Sequence, residues 1–163
     1  MKHIVIAMCA VLAAAALRPS EVTAQGQPNM YGPTITADQA KSVAAAAVAE
    51  ARKNQWTMAV AIVDPAGDLV YFEKMDNTQV GSIDVAIAKA RSSARFKRPT
   101  KAFQDMLAAG GEGVRVLRIK GAVPVDGGMP IMMGGKVVGG VGLSGGTSAQ
   151  DGQCAKAGVD AVS

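Results

Sequence analysis

Between Lys89 and Lys101, six of thirteen residues are basic (Lys89, Arg91, Arg95, Lys97, Arg98 and Lys101), and no acid lies among them. Arg91, Arg95 and Arg98 fall at i, i+4 and i+7, which puts them on one face of a helix that runs to the end of this stretch. Guanidinium forks bind carboxylates through two parallel hydrogen bonds, so such a face suits a small anionic ligand. A solvated helix end, whose cations offset the negative pole of the dipole, has the same spacing. A second stretch, residues 110–146, holds 13 glycines in 37 positions. A glycine-rich turn ahead of a capped helix exposes N–H groups that suit a carboxylate or phosphate. Tight turns and close helix–sheet packing need glycine as well. Asp64, Asp76 and Asp151 suit a hard cation or pairing with these bases, and each also suits an ordinary turn or cap. Lys89 or Asp64 would serve in proton transfer if burial moved its pKa toward neutrality.

Two motifs match chemistry that the rest of the chain cannot support. Gly140-x-Gly142-x-x-Gly145 has the dinucleotide spacing, but only 18 residues follow Gly145. One helix uses them, which leaves no strand to carry the acid for a ribose. Gly142-x-Ser144-x-Gly146 has the spacing of a hydrolase nucleophile elbow, which needs a histidine base. The one histidine is His3, inside an N-terminal segment with the marks of a secretory signal. Lys2 and His3 form its positive start, Ile4–Leu17 its apolar run of 14, and Val22-Thr23-Ala24 the small-residue site for a cut before Gln25. The expected mature chain is periplasmic or secreted. It has no histidine, one cysteine (Cys154) and a charge of 15 basic minus 12 acidic residues, or +3. Histidine-based zinc sites, serine triads and an intrachain disulfide are excluded on that reading. The mild charge does not point to nucleic acid, and no later segment approaches the length of a membrane span.

The elements that must position these residues are legible from periodicity. At 163 residues the chain fits one domain, with 49 % hydrophobic residues for a core. Residues 25–35 (QGQPNMYGPTI) read as a flexible lead-in, and 36–163 as the domain. Thr36 and Gln39 form a capping box ahead of apolar positions 40, 43, 44, 47, 48 and 51, a helix ending near Asn54. Met58–Val63 and Leu69–Met75 read as a β-hairpin joined by Asp64-Pro65-Ala66-Gly67. Ser82 is expected to cap a second helix that Pro99 stops, and a third runs from about Lys101 to Ala109. Val114–Ile119, Met129–Met133 and Lys136–Leu143 read as strands, and Ser148 with Asp151 as the cap of a last helix. Glycines 139, 140 and 142 weaken the last strand unless another backbone or a ligand must approach it. The order α-β-β-α-α-β-β-β-α predicts an α/β (α+β) domain with helices on a central antiparallel sheet of about five strands.

The stretches AIVDPAGDLVYFEKMD (61–76), SIDVAIAKARSSARFKRPT (82–100) and GGMPIMMGGKVVGGVGLSGGTSAQDGQCAKAG (127–158) closely resemble the GlcG/HbpS family of haem-binding and haem-degrading proteins. A similar module forms part of some PduO-type cobalamin adenosyltransferases. The resemblance covers nearly the whole expected mature chain. It implies a profilin- or PAS-like domain, homo-oligomers, and haem as ligand. The family's motif falls on Asp64, Gly67, Met75, Asp76, Lys89, Phe96, Arg98, Pro99 and Thr100, then on Gly127, Gly128, Pro130, Ser144, Gly145, Gln150 and Asp151. On this reading haem lies between the Lys89–Thr100 segment and the Gly127–Ser144 strands. Arg95 and Arg98 hold its propionates, and Phe96, Met129 and Ile131 cover the ring. Without histidine, Met75 and Thr100 are the expected iron ligands, and the haem is exchangeable. Two alternatives stand beside it. One is an enzyme or sensor for a 2-hydroxy or 2-keto acid, using Arg98 with Lys89 or Asp64; the other is a non-catalytic oligomeric interaction module.

Overall fold

A computed structural model describes residues 30–163. The expected signal segment 1–24, its cut after Ala24, and residues 25–29 lie outside the described residues. The elements in order are β1 (Met30–Tyr31), α1 (Ala37–Lys53), β2 (Ala59–Val63), β3 (Leu69–Lys74), α2 (Ser82–Phe96) and α3 (Thr100–Ala108). A 3-10 helix (Gly111–Arg118), β4 (Gly128–Met133), β5 (Lys136–Ser144) and α4 (Ser148–Asp160) follow. The result is the expected mixed α/β domain with a five-stranded sheet, although the five strands are not the expected five.

Strand β5 is the centre of the sheet. It pairs antiparallel with β4 on one edge and with β2 on the other, and β2 pairs antiparallel with β3. The exception to the antiparallel pattern is β1, which pairs parallel with Lys136 and Val137 of β5. Over 30–35 the expected flexible lead-in is instead bonded to the sheet. The Gly32 and Ile35 amides donate to the Val137 and Val138 carbonyls, and Ile35 is buried.

Val114–Ile119, expected as a strand, is not one: Gly111–Arg118 forms a 3-10 helix. Three glycines in 110–113 open a tight coil, and within the 3-10 helix only Val116 is buried. The alternating V-R-V-L-R-I pattern looks like a strand, but a strand persists only where another edge takes its hydrogen bonds. The caps also move by one residue. Thr147, not Ser148, caps α4, with Gln150 completing the box. Gly81 occupies the cap position of α2 with no side-chain bond, while Ser82 is buried as its first residue.

Strand alternation separates two cores. Met58, Val60 and Ile62 point toward α1 and α4, where Val43, Ala47, Val48 and Cys154 complete a larger cluster. Ala59, Ala61 and Val63 point the other way and meet Ala86, Ala90 and Ala94 of α2. This second interface is built from small side chains, so α2 lies nearly on the sheet. A Cβ at Gly140 would stand 2.6 Å from the Ala90 carbonyl oxygen, and one at Gly142 would overlap the Ala86 carbonyl. The glycines of β5 therefore admit a helix backbone, one of the two reasons the sequence allowed.

Candidate functional site

The residues expected to form one site divide among three places. The first is a sealed polar node where α2, β4, β5 and α4 meet. Lys89, 1 % exposed, donates from Nζ to Asp151 Oδ2 at 2.6 Å and to the Leu143 carbonyl at 3.0 Å. Asp151 Oδ1 accepts from the Gly146 amide at 3.1 Å. Lys89 leaves α2 beside Gly127 and Gly128, because only glycine leaves it room. A Cβ at Gly127 would lie 2.8 Å from Nζ, and one at Gly128 2.5 Å from the Lys89 carbonyl oxygen. Thr100 Oγ1 accepts from the Gly128 amide at 2.9 Å, and Ser144 bonds Ser82 hydroxyl to hydroxyl at 3.1 Å. Burial pushes the Asp151 carboxyl above its usual range, against the pull of the Lys89 hydrogen bond and charge.

This arrangement fixes a fold, its polar groups answering one another. The expected haem seam between the Lys89–Thr100 segment and the Gly127–Ser144 strands is closed, because α2 packs there against glycine backbone. Thr100, an expected iron ligand, is fully buried with its hydroxyl on the Gly128 amide. Lys89 and Asp151 are held by each other, so Lys89 has no access to a substrate proton and Asp151 is not a cap. Ile131 is likewise core. Pro130 lies in β4 opposite Gly140. Gly145 passes so close to the Thr57 carbonyl that no side chain would fit.

The second place is the exposed end of α2. The helix stops at Phe96 and Lys97 turns left-handed at φ +54, so Arg98 leaves the face that Arg91 and Arg95 share. Arg91 Nε donates to the Gly67 carbonyl at 2.9 Å and Arg95 Nε to the Ala66 carbonyl at 2.6 Å. The two arginines thus clasp the β2–β3 turn. Asp64 accepts from the Asp68 amide at 2.8 Å within that turn. The Lys97 ammonium lies 4.2 Å from the centroid of the Tyr31 ring. Arg98 lies over Phe103, whose ring meets Phe96 edge to face at 5.2 Å. Met75 is half-buried against the larger core and Asp76 is exposed beside it, both away from this cluster of bases.

The third place was not singled out in the sequence. A cavity of about 240 Å³ opens between the β1–α1 connection and the β4–β5 hairpin, lined by Pro33, Thr34, Thr36, Gln39, Met133 and Val138. Its walls are mainly apolar, and Met133 contributes a thioether. Its mark in residue type is the Met-rich stretch Met129, Met132 and Met133, which suits subunit contacts as readily as a pocket. Cys154 is buried, its thiol pushed up to about 11 by desolvation, and is no nucleophile at neutral pH. Among the described residues no group of three or more His, Cys, Asp or Glu side chains is placed to hold a metal ion, and no helix is long and apolar enough to cross a membrane.

Residues 35–160 match the family described as haem degrading protein HbpS-like. Protein GlcG of Escherichia coli K12 is 32 % identical over 73 residues, which is 45 % of this chain and 54 % of GlcG. The match thus spans about half the length of that curated relative. Among solved structures, a double mutant of Streptomyces reticuli HbpS superposes with a TM-score of 0.74 at 28 % identity, covering 96 % of this chain and 99 % of that one. A PduOC–haem complex superposes with a TM-score of 0.71 at 25 % identity, covering 79 % and 95 %.

Proposed function

The chain belongs to the HbpS-like family, and on that premise we propose that it binds haem as exchangeable cargo at the cavity beside β1. The observation that carries this reading is the likeness, across most of the chain, to a protein solved as a haem complex. The cavity supplies what such a ligand needs from a chain with no described histidine: apolar walls for the ring, and the Met133 thioether, a known type of haem-iron ligand. Its volume lies just below the range of about 300–1,000 Å³ usual for ligand pockets, so it suits one edge of the macrocycle. The rest of the ring stays in solvent, and the haem exchanges. Thr36 and Gln39 at the rim already bond each other's backbone in the α1 capping box. The neighbouring Lys136 is exposed and suits a propionate.

A hemin titration tests this. The expected result is a saturable Soret band that weakens at least about tenfold in Met133→Ala, the cost of losing roughly 1.4 kcal/mol or more of binding. Met75→Ala is expected to titrate like the wild type. No Soret shift at saturating hemin would remove the haem reading. A loss confined to Arg98→Ala would move the ligand to the end of α2. Adding a reductant and dioxygen to the loaded protein separates holding from degradation, since only degradation bleaches the band and frees iron. The small-carboxylate alternative loses support, because Lys89 is sealed inside the fold.

We propose further that the chain is exported and assembles with copies of itself. Export rests on the features of residues 1–24, and the test is N-terminal sequencing of the protein from the periplasm or medium, expected to begin at Gln25. Assembly rests on exposed apolar side chains of α3 and the 3-10 helix, among them Met106, Val114 and Leu117, which a second copy would cover.

A further inference from the structure

We propose that the surface formed by β1, the end of α2 and the β2–β3 turn docks on an anionic lipid membrane, independently of the haem reading. Arg91, Arg95, Lys97 and Arg98 form no ion pair among the described residues, a state they share with Arg52, Lys74, Arg118, Lys120 and Lys136, but these four are gathered at the end of one helix. The four cations are held by carbonyls and aromatic rings, which fix their positions and leave their charge uncompensated. The acids within the turn are Asp64 and Asp68. Asp64 faces its own loop, accepting from the Asp68 amide, so the surface stays net positive.

Apolar groups lie among these charges. Met30 is 66 % exposed, Tyr31 42 % and Leu69, two residues past the turn, 48 %. Tyr31 joins the parts, because its hydroxyl donates to the Arg95 carbonyl at 2.9 Å while its ring carries Lys97. A polyanion such as nucleic acid would satisfy the cations and leave Met30 and Leu69 in water. An anionic bilayer takes both, headgroup phosphates on the bases and the interfacial region on the apolar side chains. Tyrosine suits that boundary, with an apolar ring and a polar tip. Lys97 also holds a left-handed conformation that glycine adopts without cost, and in doing so keeps its ammonium over Tyr31.

The test is co-sedimentation of the full chain with phosphatidylcholine vesicles, with and without about one-third phosphatidylglycerol. Binding is expected to rise with phosphatidylglycerol and to fall with salt. It is expected to drop about 25-fold in the double variant Lys97→Gln/Arg98→Gln, at about fivefold per cation. Tyr31→Ser is expected to weaken binding at unchanged charge, and Lys41→Gln/Lys156→Gln on the opposite helical layer to leave it unchanged. Residues 1–29 are common to all these chains, and the same variants made from Gln25, without the apolar run Ile4–Leu17, separate this surface from that segment. Circular dichroism establishes that each variant is folded. Equal partition of wild type and double variant, or indifference to phosphatidylglycerol, overturns the proposal. Loss of heparin binding in the double variant, with no vesicle binding by the wild type, overturns it in favour of a soluble polyanion.

Discussion

At the scale of single residues, Lys89 is the largest fully buried side chain among the described residues. An ammonium removed from water is tolerated only with its charge and hydrogen bonds answered, and Asp151 and the Leu143 carbonyl supply this. Lys89→Met strands a buried carboxylate, and Asp151→Asn strands a buried ammonium. Each is expected to cost about 3–5 kcal/mol in urea unfolding. Joint replacement by apolar residues of similar volume is expected to recover much of that loss, which a double-mutant cycle would read as strong coupling. The raised pKa of Asp151 has a definite sign. The folded state holds its proton to higher pH than the unfolded chain does, so this group favours the fold at low pH. That contribution is lost as pH rises through the folded pKa. The stability of wild type minus Asp151→Asn is therefore expected to narrow as pH rises from the ordinary carboxylate range through the raised value; a widening gap would contradict the burial account.

At the scale of elements, the governing contact is α2 on β5. Helix-on-sheet packing usually interposes large side chains, but here alanines and serines on α2 meet glycines on β5 and backbone lies near backbone. Gly142→Ala would drive a methyl group into the Ala86 carbonyl. It is expected to lower stability by about 3 kcal/mol, toward the upper end for overpacking. A midpoint in urea close to wild type would show that α2 can shift outward. The hairpin carbonyls clasped by Arg91 and Arg95 serve the same interface from its far end, tying the β2–β3 turn to the helix. Those arginines were legible in the sequence as a basic face. Their partners were not, because a carbonyl acceptor 24 or 29 residues away leaves no mark in residue type.

At the scale of the whole molecule, helices cover both faces of the sheet, and the Lys89–Asp151 pair joins the two layers where β4 begins. Besides the β1 and hairpin surface, the outer side of α3 and the 3-10 helix stays uncovered. Val114 is 47 % and Leu117 59 % exposed there. Since apolar area of this kind on one layer favours self-association, light scattering is expected to give a mass above the monomer's. Leu117→Asp with Val114→Asp is expected to reduce it toward the monomer while circular dichroism is unchanged. A wild-type monomer across micromolar concentrations would remove the assembly reading.

The sequence alone determined whatever depends on neighbours a few residues apart. All six apolar positions expected to face inward on α1 are buried, Thr36 and Gln39 close the capping box, and Asp64–Gly67 turns the hairpin. These follow from helical and strand periods and from turn chemistry, and the family motif added the overall architecture. Tertiary structure decided whatever needed a partner from far along the chain. Strand β1 is two residues long and exists because β5 offers it an edge. Val114–Ile119 has strand-like alternation but coils instead, with no edge beside it. By residue type Lys89 suits a solvated basic run, a ligand or proton transfer alike, and a carboxylate 62 residues away answers its charge instead. The physical reason is common to all three. Hydrogen bonds and charges are satisfied by proximity in space, and residue types set out which partners are needed without saying which will be near.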